Sequence, residues 1–419
     1  MMVRKTLWLF AFVAAAGTLQ AQTKDPRVGL KPGLYDAETA FWNMRMISTT
    51  AAPDSFKRST NSDLAFINNY VVQGNYNGYM VWDISNPASP KLRKGYYCPA
   101  SQSDVSVYKN LLFVSGEGLS GRIDCAGGGV QDTVSKVRLR GLRVFDVSDW
   151  DNPKNVANVQ TCRGSHTHTL VEDPKDKENV YVYISGSAPV RSPNELEGCS
   201  AAQPESDPNS ALFRIEVIKI PLAHPEQAAI VSSPRIFNDL KRAPGHGESP
   251  VDTAQISKTL RDARARGAFI ANIFGSDRVL PNRMVNPMLD SIAKTHGGTL
   301  ATATPADSAA LRGSIQGIVD RLFGSGNANR GPTQCHDITV YPAKGLAGGA
   351  CEGYGMLIDI SDPAHPVRLT AVADSNFSYW HSATFNNDAT KILFSDEWGG
   401  GGGPKCREGD PAQWGADAL

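Results

Sequence analysis

The fold is decided by the stretch Gly141-Leu142-Arg143-Val144-Phe145-Asp146-Val147-Ser148-Asp149-Trp150-Asp151-Asn152-Pro153. The alternation that starts at Leu142 predicts a short, half-buried β-strand. Asp146 ends the alternating run. Asn152 and Pro153, at the end of the stretch, favour a turn and cannot continue a strand. The stretch therefore predicts one strand followed by a tight turn.

The same pattern recurs along the chain. Two close copies stand at residues 78–90 (GYMVWDISNPASP) and 355–366 (GMLIDISDPAHP), and a degenerate copy stands at residues 214–225. Short strands repeated at intervals of tens of residues are typical of β-propellers and other β-solenoids. One such unit cannot bury its sheet alone, so neighbouring units must stack.

Four or five units can be recognised, and the sequence stops at Leu419 before the fifth unit has its final strand. We therefore predict an all-β fold, a β-propeller with an incomplete ring whose C-terminal blades are missing, interrupted by a mostly helical insertion. The expected segments are a signal peptide (1–21), an N-terminal arm (22–62), propeller blades (63–243), the insertion (244–332) and further, truncated blades (333–419).

The insertion does not fit the repeat. Residues 250–267, 287–295 and 306–323 have the apolar spacing of helices, with Gly and Pro breaks between them. The pattern predicts either a helical lid over one end of the ring or a loosely ordered excursion.

The N-terminus has the pattern of an export signal. Arg4 and Lys5 are followed by an apolar run over residues 7–16, and Ala21 is a small residue suited to cleavage. The run is shorter than the roughly 20 residues that a membrane span needs, and no later segment is a candidate. We expect a periplasmic or extracellular protein, with a retained N-terminal anchor as the alternative.

The charge balance excludes some partners. Basic and acidic residues number 42 each, so the formal net charge is zero. This argues against a nucleic-acid surface and against a polybasic membrane patch. We expect a monomer whose partner is an unidentified protein, glycan or surface ligand.

The recurring Gly-x-x-Val-x-Asp-Ile-Ser-x-Pro-x-x-Pro resembles the LVIVD repeat of bacterial exported proteins. Those repeats open with a His-Asp-Val strand, matched here by His336-Asp337-Ile338 and in part at residues 166–168 and 381–383. The resemblance covers residues 63–243 and 333–398 and implies propeller blades, but it implies little about activity. LVIVD repeats are also distantly similar to the selenium-binding protein and methanethiol oxidase propellers, which implies a metal held on axial histidines. The long insertion and the missing last blades depart from the family.

Four histidines stand at the start of a blade's innermost strand, namely His166, His168, His336 and His381. Equivalent positions in successive blades lie on a ring around the propeller axis, so these side chains are expected to converge at one axial mouth. His166 and His168 are two residues apart and should point to the same face of their strand. Converging neutral imidazoles suit Zn or Cu, and also Fe or Ni.

Carboxylates near these histidines could add oxygen ligands or orient the imidazoles; the candidates are Asp104, Asp337, Asp396 and Glu397. The alternative is structural, because a histidine at this position can also hydrogen-bond a neighbouring blade and fix the blade spacing. The residues leave two functions open. One is an exported binding scaffold for an unknown ligand, and the other is a metal-dependent hydrolase or oxidase.

Seven cysteines in an exported chain are candidate disulfide partners. Their positions before innermost strands and within the Gly-rich excursions predict three pairs and leave Cys406 over. The predicted pairs are Cys98 with Cys162, Cys125 with Cys199, and Cys335 with Cys351.

Overall fold

The computed structural model describes residues 26–33, 36–273, 275–323, 331–400, 405, 407 and 409–419. The chain forms two compact units, divided between Thr50 and Ala51. The described part of the first unit contains neither helix nor strand. The strands and α-helices described below all belong to the second unit. The predicted signal peptide, residues 1–21, lies outside the described residues.

The second unit begins with two four-stranded antiparallel sheets. The first consists of β1 (Asn61–Ile67), β2 (Tyr70–Asn75), β3 (Gly78–Asp83) and β4 (Lys91–Tyr97). The second consists of β5 (Val105–Tyr108), β6 (Leu111–Gly116), β7 (Gly141–Asp146) and β8 (Lys154–Gln160). In both sheets the strands pair in the order of the sequence, as expected of propeller blades.

The third sheet precedes the insertion, and two more sheets follow it. The third consists of β9 (His168–Asp173), β10 (Asp176–Ile184), β11 (Glu216–Pro221) and β12 (Ala229–Ser232). The insertion contains α1 (Pro250–Ala265), β13 (Ile270–Ile273), β14 (Ser276–Val279), α2 (Asn282–Lys294) and α3 (Pro305–Phe323).

The fourth sheet consists of β15 (Asp337–Tyr341), β16 (Leu346–Cys351), β17 (Tyr354–Asp359) and β18 (Val367–Val372). The fifth consists of β19 (Trp380–Phe385), β20 (Ile392–Asp396) and β21 (Asp417–Ala418).

The innermost strands of consecutive sheets lie side by side. β1 lies next to β5, β5 next to β9, β9 next to β15, and β15 next to β19. Within the described residues, no strand pairing joins the fifth sheet to the first. The predicted all-β propeller with an incomplete ring is confirmed.

The strand β7 is buried on both faces, whereas its alternation predicted a half-buried strand. Val144 belongs to an apolar cluster with Val182 of the third sheet. The next residue, Phe145, points the other way and packs edge-on against Tyr79 of the first sheet, with ring centroids 5.6 Å apart. Successive side chains of a strand point to opposite faces, and here each face is covered by a neighbouring sheet.

The Asp-x-Ser of the repeat forms the same turn in three sheets. Asp146 Oδ1 accepts hydrogen bonds from the backbone N–H of Ser148 at 2.9 Å and from its hydroxyl at 2.6 Å. The corresponding pairs are Asp83 with Ser85 in the first sheet and Asp359 with Ser361 in the fourth. A side chain that bonds the backbone two residues on starts a turn, which explains both residues of the motif.

Three disulfides join the described cysteines: Cys98–Cys125, Cys162–Cys199 and Cys335–Cys351. The prediction was right for the third pair and wrong for the other two. Cys98 and Cys162 each precede an innermost strand and bond to a cysteine in the loop between the second and third strands of the same sheet. They do so because that loop folds back onto the sheet from which it emerges. Cys406 lies outside the described residues.

The insertion has an apolar core of its own. Its buried members include Ala271, Leu280, Val285, Leu311 and Ile315. The helices predicted over residues 250–267 and 306–323 are confirmed as α1 and α3, while α2 begins earlier than predicted and runs through Pro287. The β13–β14 hairpin was not predicted. In the described part of the chain, no helix combines the length and apolar character needed to cross a membrane.

Candidate functional site

A cavity of about 1420 Å³ is lined by the starts of the innermost strands and by the loops that follow the second strands. In an antiparallel pair the start of one strand lies beside the end of the next. Each of the five sheets therefore offers a place before or early in its first strand from which side chains reach the cavity, and all except the fourth offer a second place after their second strand.

Three side chains of the fourth and fifth sheets meet in this cavity. His336 directly precedes β15, His381 is the second residue of β19, and Glu397 directly follows β20. One ligand atom from each lies within 4.8 Å of the others. The imidazoles of His336 and His381 have ring centroids 3.7 Å apart, and His381 Nε2 is 3.6 Å from Glu397 Oε2. The group offers two nitrogens and a carboxylate, a set that suits Zn or Cu.

A third imidazole lies beside this group. The ring centroid of His166 is 4.9 Å from that of His336. His166 Nδ1 is 2.5 Å from Glu117 Oε1, and the other oxygen of Glu117 accepts a hydrogen bond from the Ser187 hydroxyl at 2.6 Å. The carboxylate fixes the ring and leaves Nε2 as the nitrogen available to a ligand, as in carboxylate–histidine–metal arrangements.

The protonation states of the imidazoles follow from their partners. His336 Nδ1 is 3.1 Å from the backbone carbonyl oxygen of His381, which can only accept, so Nδ1 carries the proton and Nε2 carries a lone pair. Burial, together with the neighbouring His381 and His166, lowers the pKa of His336 to about 3. Its ring is therefore neutral at neutral pH, as metal binding requires.

Glu117 and His166 form an ion pair at the edge of the group. Burial opposes the charged form of each, but the hydrogen bond and the opposite charge outweigh it. The pKa of Glu117 is lowered and that of His166 is raised. Without a metal, His166 thus holds its second proton more firmly than a free histidine does.

The structure does not bring His168 into this group. Its side chain is fully buried between the second and third sheets, and Nε2 is 2.6 Å from the Ser106 hydroxyl. Nδ1 is 2.8 Å from the Ser115 hydroxyl and 3.0 Å from Asp104 Oδ2. Both ring nitrogens are engaged by protein groups, so His168 matches the structural alternative for these histidines.

The other predicted carboxylates have different surroundings. Asp396 accepts hydrogen bonds from the backbone N–H groups of Ser378 and Tyr379, which fixes the loop before β19. Asp337 lines the cavity, and burial, together with nearby Asp104, raises its pKa to about 6. Asp104 itself accepts the backbone N–H of His168 at 2.8 Å.

Glu117 and Asp63 were not predicted from the sequence. Asp63 lines the cavity, and burial, together with nearby Asp104, raises its pKa to about 6. The signal that could have found Glu117 is positional. Glu117 directly follows β6 and Glu397 directly follows β20, each the second strand of its sheet, and Tyr76 follows β2 in the same way. All three line the cavity.

Comparison with solved structures returns many propellers and other proteins at low identity. Hydrazine synthase of Kuenenia stuttgartiensis is 8% identical with a TM-score of 0.36, over 81% of this chain and 62% of that one. A hypothetical selenium-binding protein of Sulfolobus tokodaii is 9% identical with a TM-score of 0.38, over 80% of this chain and 57% of that one. The Cps50 β-propeller domain of Myceliophteria thermophila is 9% identical with a TM-score of 0.35, over 82% and 67%. This chain thus spans less than two thirds of the first two.

No curated protein matches the sequence. The family model of the LVIVD repeat matches residues 61–97, which form the first sheet, and residues 352–374, which contain the last two strands of the fourth. These matches include two copies of the Gly-x-x-Val-x-Asp-Ile-Ser pattern or its close variant. The chain therefore carries LVIVD repeats, and its first to fifth sheets are the blades of a β-propeller.

Proposed function

We propose that this protein is a metal-dependent enzyme that binds Zn or Cu at His336, His381 and Glu397. The observation that carries the proposal is the approach of three ligand atoms to within 4.8 Å of one another at the wall of a large cavity. The donors come from two different blades, so the site depends on the ring and not on one local loop.

The chemistry of the donors supports this assignment. His336 presents a neutral nitrogen whose tautomer is set by a backbone carbonyl. His166, held by Glu117, is available as a further nitrogen ligand from the third sheet. A bound metal of this kind supplies Lewis-acid chemistry, or redox chemistry if it is Cu.

Residues around the donors orient them and leave space for a ligand. Glu117 orients the His166 ring, and Ser187 holds Glu117 in turn. The cavity of about 1420 Å³ gives a small molecule access to the donors. The class of reaction, hydrolysis or oxidation, follows from which metal is bound.

Elemental analysis of the purified full-length protein tests the proposal. We expect about one equivalent of a transition metal, lost in His381→Ala and in Glu397→Gln, because each substitution removes one of the three ligands that form the core of the site. Glu117→Gln should retain the site with about 10- to 100-fold weaker affinity, as found for residues that orient metal ligands. His365→Ala is the matched control, since His365 is exposed and lies in the turn between β17 and β18.

A folded, metal-free protein that takes up no Zn or Cu on addition would contradict the proposal. That result would favour the alternative, a scaffold that binds a protein, glycan or surface component.

We also propose that the protein is exported. The support is the three disulfides, which persist in oxidising compartments, together with the signal-like pattern of residues 1–21. Fractionation of cells that express the full-length chain, followed by N-terminal sequencing, tests both points. Protein found in the cytoplasm with its first residues intact would contradict the proposal.

A further inference from the structure

Apart from histidines, the charged residues that line the cavity are all acidic. Five carboxylates line it, and none of the described lining residues is Lys or Arg. Glu117 and Glu397 lie beside the imidazoles, while Asp63, Asp104 and Asp337 lie on the innermost strands β1 and β15 or directly before β5. The acidic groups therefore come from several blades and surround the space on more than one side.

Arg140 and Arg163 bond to loops of the cavity wall but do not line the cavity. Arg140 donates to the backbone carbonyl oxygens of Glu117 and Pro189, at 3.1 and 2.8 Å. Arg163 donates to the carbonyl oxygens of Ala188 and Thr333, at 3.0 and 2.7 Å. Both guanidinium groups thus support the loops of the cavity wall, and neither side chain lines the cavity.

The remaining lining is polar and aromatic. It includes the hydroxyl of Ser62 on β1 and the amide of Gln102 in the loop before β5, which accepts a hydrogen bond from the Tyr76 hydroxyl at 3.2 Å. Tyr379 presents its ring edge-on to His336, with ring centroids 6.2 Å apart. Aromatic faces and carboxylates attract organic cations, whereas a cavity with this charge repels carboxylate and phosphate ligands.

We propose that the cavity selects small organic ammonium compounds, an inference that rests on the proposed metal-dependent function of the same cavity. The carboxylates of Asp63 and Asp104 provide a place for an ammonium group of the ligand. Anionic small molecules are excluded by the same carboxylates.

Three probes with the same four-carbon chain test this selection on the full-length protein: putrescine, which is a diammonium, the corresponding diol, and succinate. Isothermal titration at about pH 7.5, above the pKa of about 6 of Asp63, keeps that carboxylate ionised. We expect putrescine to bind about tenfold or more tightly than the diol, and succinate to show no binding, because a charge-assisted hydrogen bond contributes that much. Added salt should weaken the binding of putrescine and leave the binding of the diol unchanged.

Two matched variants test whether the carboxylates of the cavity cause the preference for putrescine. Asp63→Asn removes one carboxylate of the cavity and should lower putrescine affinity about tenfold while the metal content stays the same. Glu205→Gln removes one exposed carboxylate that does not line the cavity and should leave putrescine affinity unchanged. The salt series on the unmodified protein gives the same information if Asp63→Asn fails to fold.

The inference would be overturned if succinate or the diol bound as tightly as putrescine, or if Asp63→Asn behaved like Glu205→Gln. Binding of Ca²⁺ alone, with no effect of putrescine, would also overturn it in favour of an inorganic cation site. The two proposals can fail separately. A metal-loaded protein without preference for putrescine refutes only this inference, and a protein that never binds a metal but still selects putrescine refutes only the metal-dependent function.

Discussion

At the scale of single residues, histidines at similar positions of the repeat have different surroundings. His336 and His381 face the cavity beside Glu397, whereas the side chain of His168 is enclosed between two sheets. The difference lies in neighbours that are distant in sequence. The hydroxyls of Ser106 and Ser115, on the first two strands of the preceding blade, form hydrogen bonds with the two ring nitrogens of His168.

This difference predicts opposite effects of two alanine substitutions. His168→Ala removes the imidazole that bonds Asp104, Ser106 and Ser115 and leaves a buried gap between the sheets, so the free energy of unfolding should fall by about 2–3 kcal/mol. The metal content should not change. His381→Ala should abolish metal binding and change the stability of the metal-free protein by less than about 1 kcal/mol, since its side chain is 33% exposed. Urea unfolding after chelation and elemental analysis measure the two effects. Loss of metal in His168→Ala without a change in the unfolding midpoint would refute this assignment.

The sequence located the candidate histidines because they recur in register with the Asp-x-Ser turns. It could not separate His168 from His166, since one is the first residue of β9 and the other stands two residues before it, and only the bend of the chain at residues 166–167 directs them to different surroundings. Glu117 was missed for a related reason, because its role depends on the partner His166 from another blade.

At the scale of elements, the glycine that begins β3 and β7 is required for a physical reason. Gly141, the first residue of β7, has a φ of +148°, and a Cβ there would clash with the carbonyl oxygen of Val159 on the paired strand β8. Gly78 of β3 has a φ of +133° and the same relation to the carbonyl oxygen of Tyr96 on β4. These two copies of the repeat need glycine at this place because the third strand starts close against the fourth.

Gly141→Ala should therefore lower the free energy of unfolding by about 2–3 kcal/mol through backbone strain and displacement of β8. Gly127→Ala is the matched control, because an added Cβ there meets no atom within 4 Å and the backbone does not have a positive φ. Its effect should stay within about 0.5 kcal/mol. Equal destabilisation by the two substitutions, measured by urea unfolding, would show that β7 and β8 tolerate a side chain at their start.

The pattern of strands and turns was accessible from sequence, but the cross-links between them were not. Cys98 and Cys125 pair across a Gly-rich excursion, and nothing in its composition shows that it folds back onto its own blade. The same holds for Cys162 and Cys199. Cys335 and Cys351 were paired correctly because they stand at adjacent ends of one hairpin, where strand geometry alone brings them together.

At the scale of the whole second unit, the ring and the insertion are held by different contacts. The third and fourth blades share an apolar cluster that includes Tyr183, Val217, Ile338 and Met356, so they pack directly on one another. The insertion interrupts the chain between these blades, and its two ends come together, since a Cβ on Gly331 would clash with the carbonyl oxygen of Leu240. A segment whose ends meet at the surface of a formed core can be removed without pulling that core apart.

We therefore predict that replacing residues 244–329 with a linker of about four Gly and Ser residues leaves the blades folded. The shortened protein should keep its β-sheet circular dichroism and its three disulfides, because the described cysteines all lie outside the removed segment. It should also keep its metal, since His336, His381 and Glu397 belong to the fourth and fifth blades. Its melting temperature should fall by a few degrees, because the removed segment also contacts residues near the C-terminus.

Those contacts identify the appropriate control. Asp252 of α1 pairs with Lys405 and Arg407, at 2.9 Å each, and His246 stacks on Trp414 with ring centroids 3.6 Å apart. Asp252→Asn keeps the insertion but weakens these ion pairs, so it should reproduce part of the fall in melting temperature and leave the metal content unchanged. If the shortened chain unfolds while Asp252→Asn does not, the insertion is needed to join the third and fourth blades. If both keep their metal, the direct packing of the blades is sufficient to assemble the site.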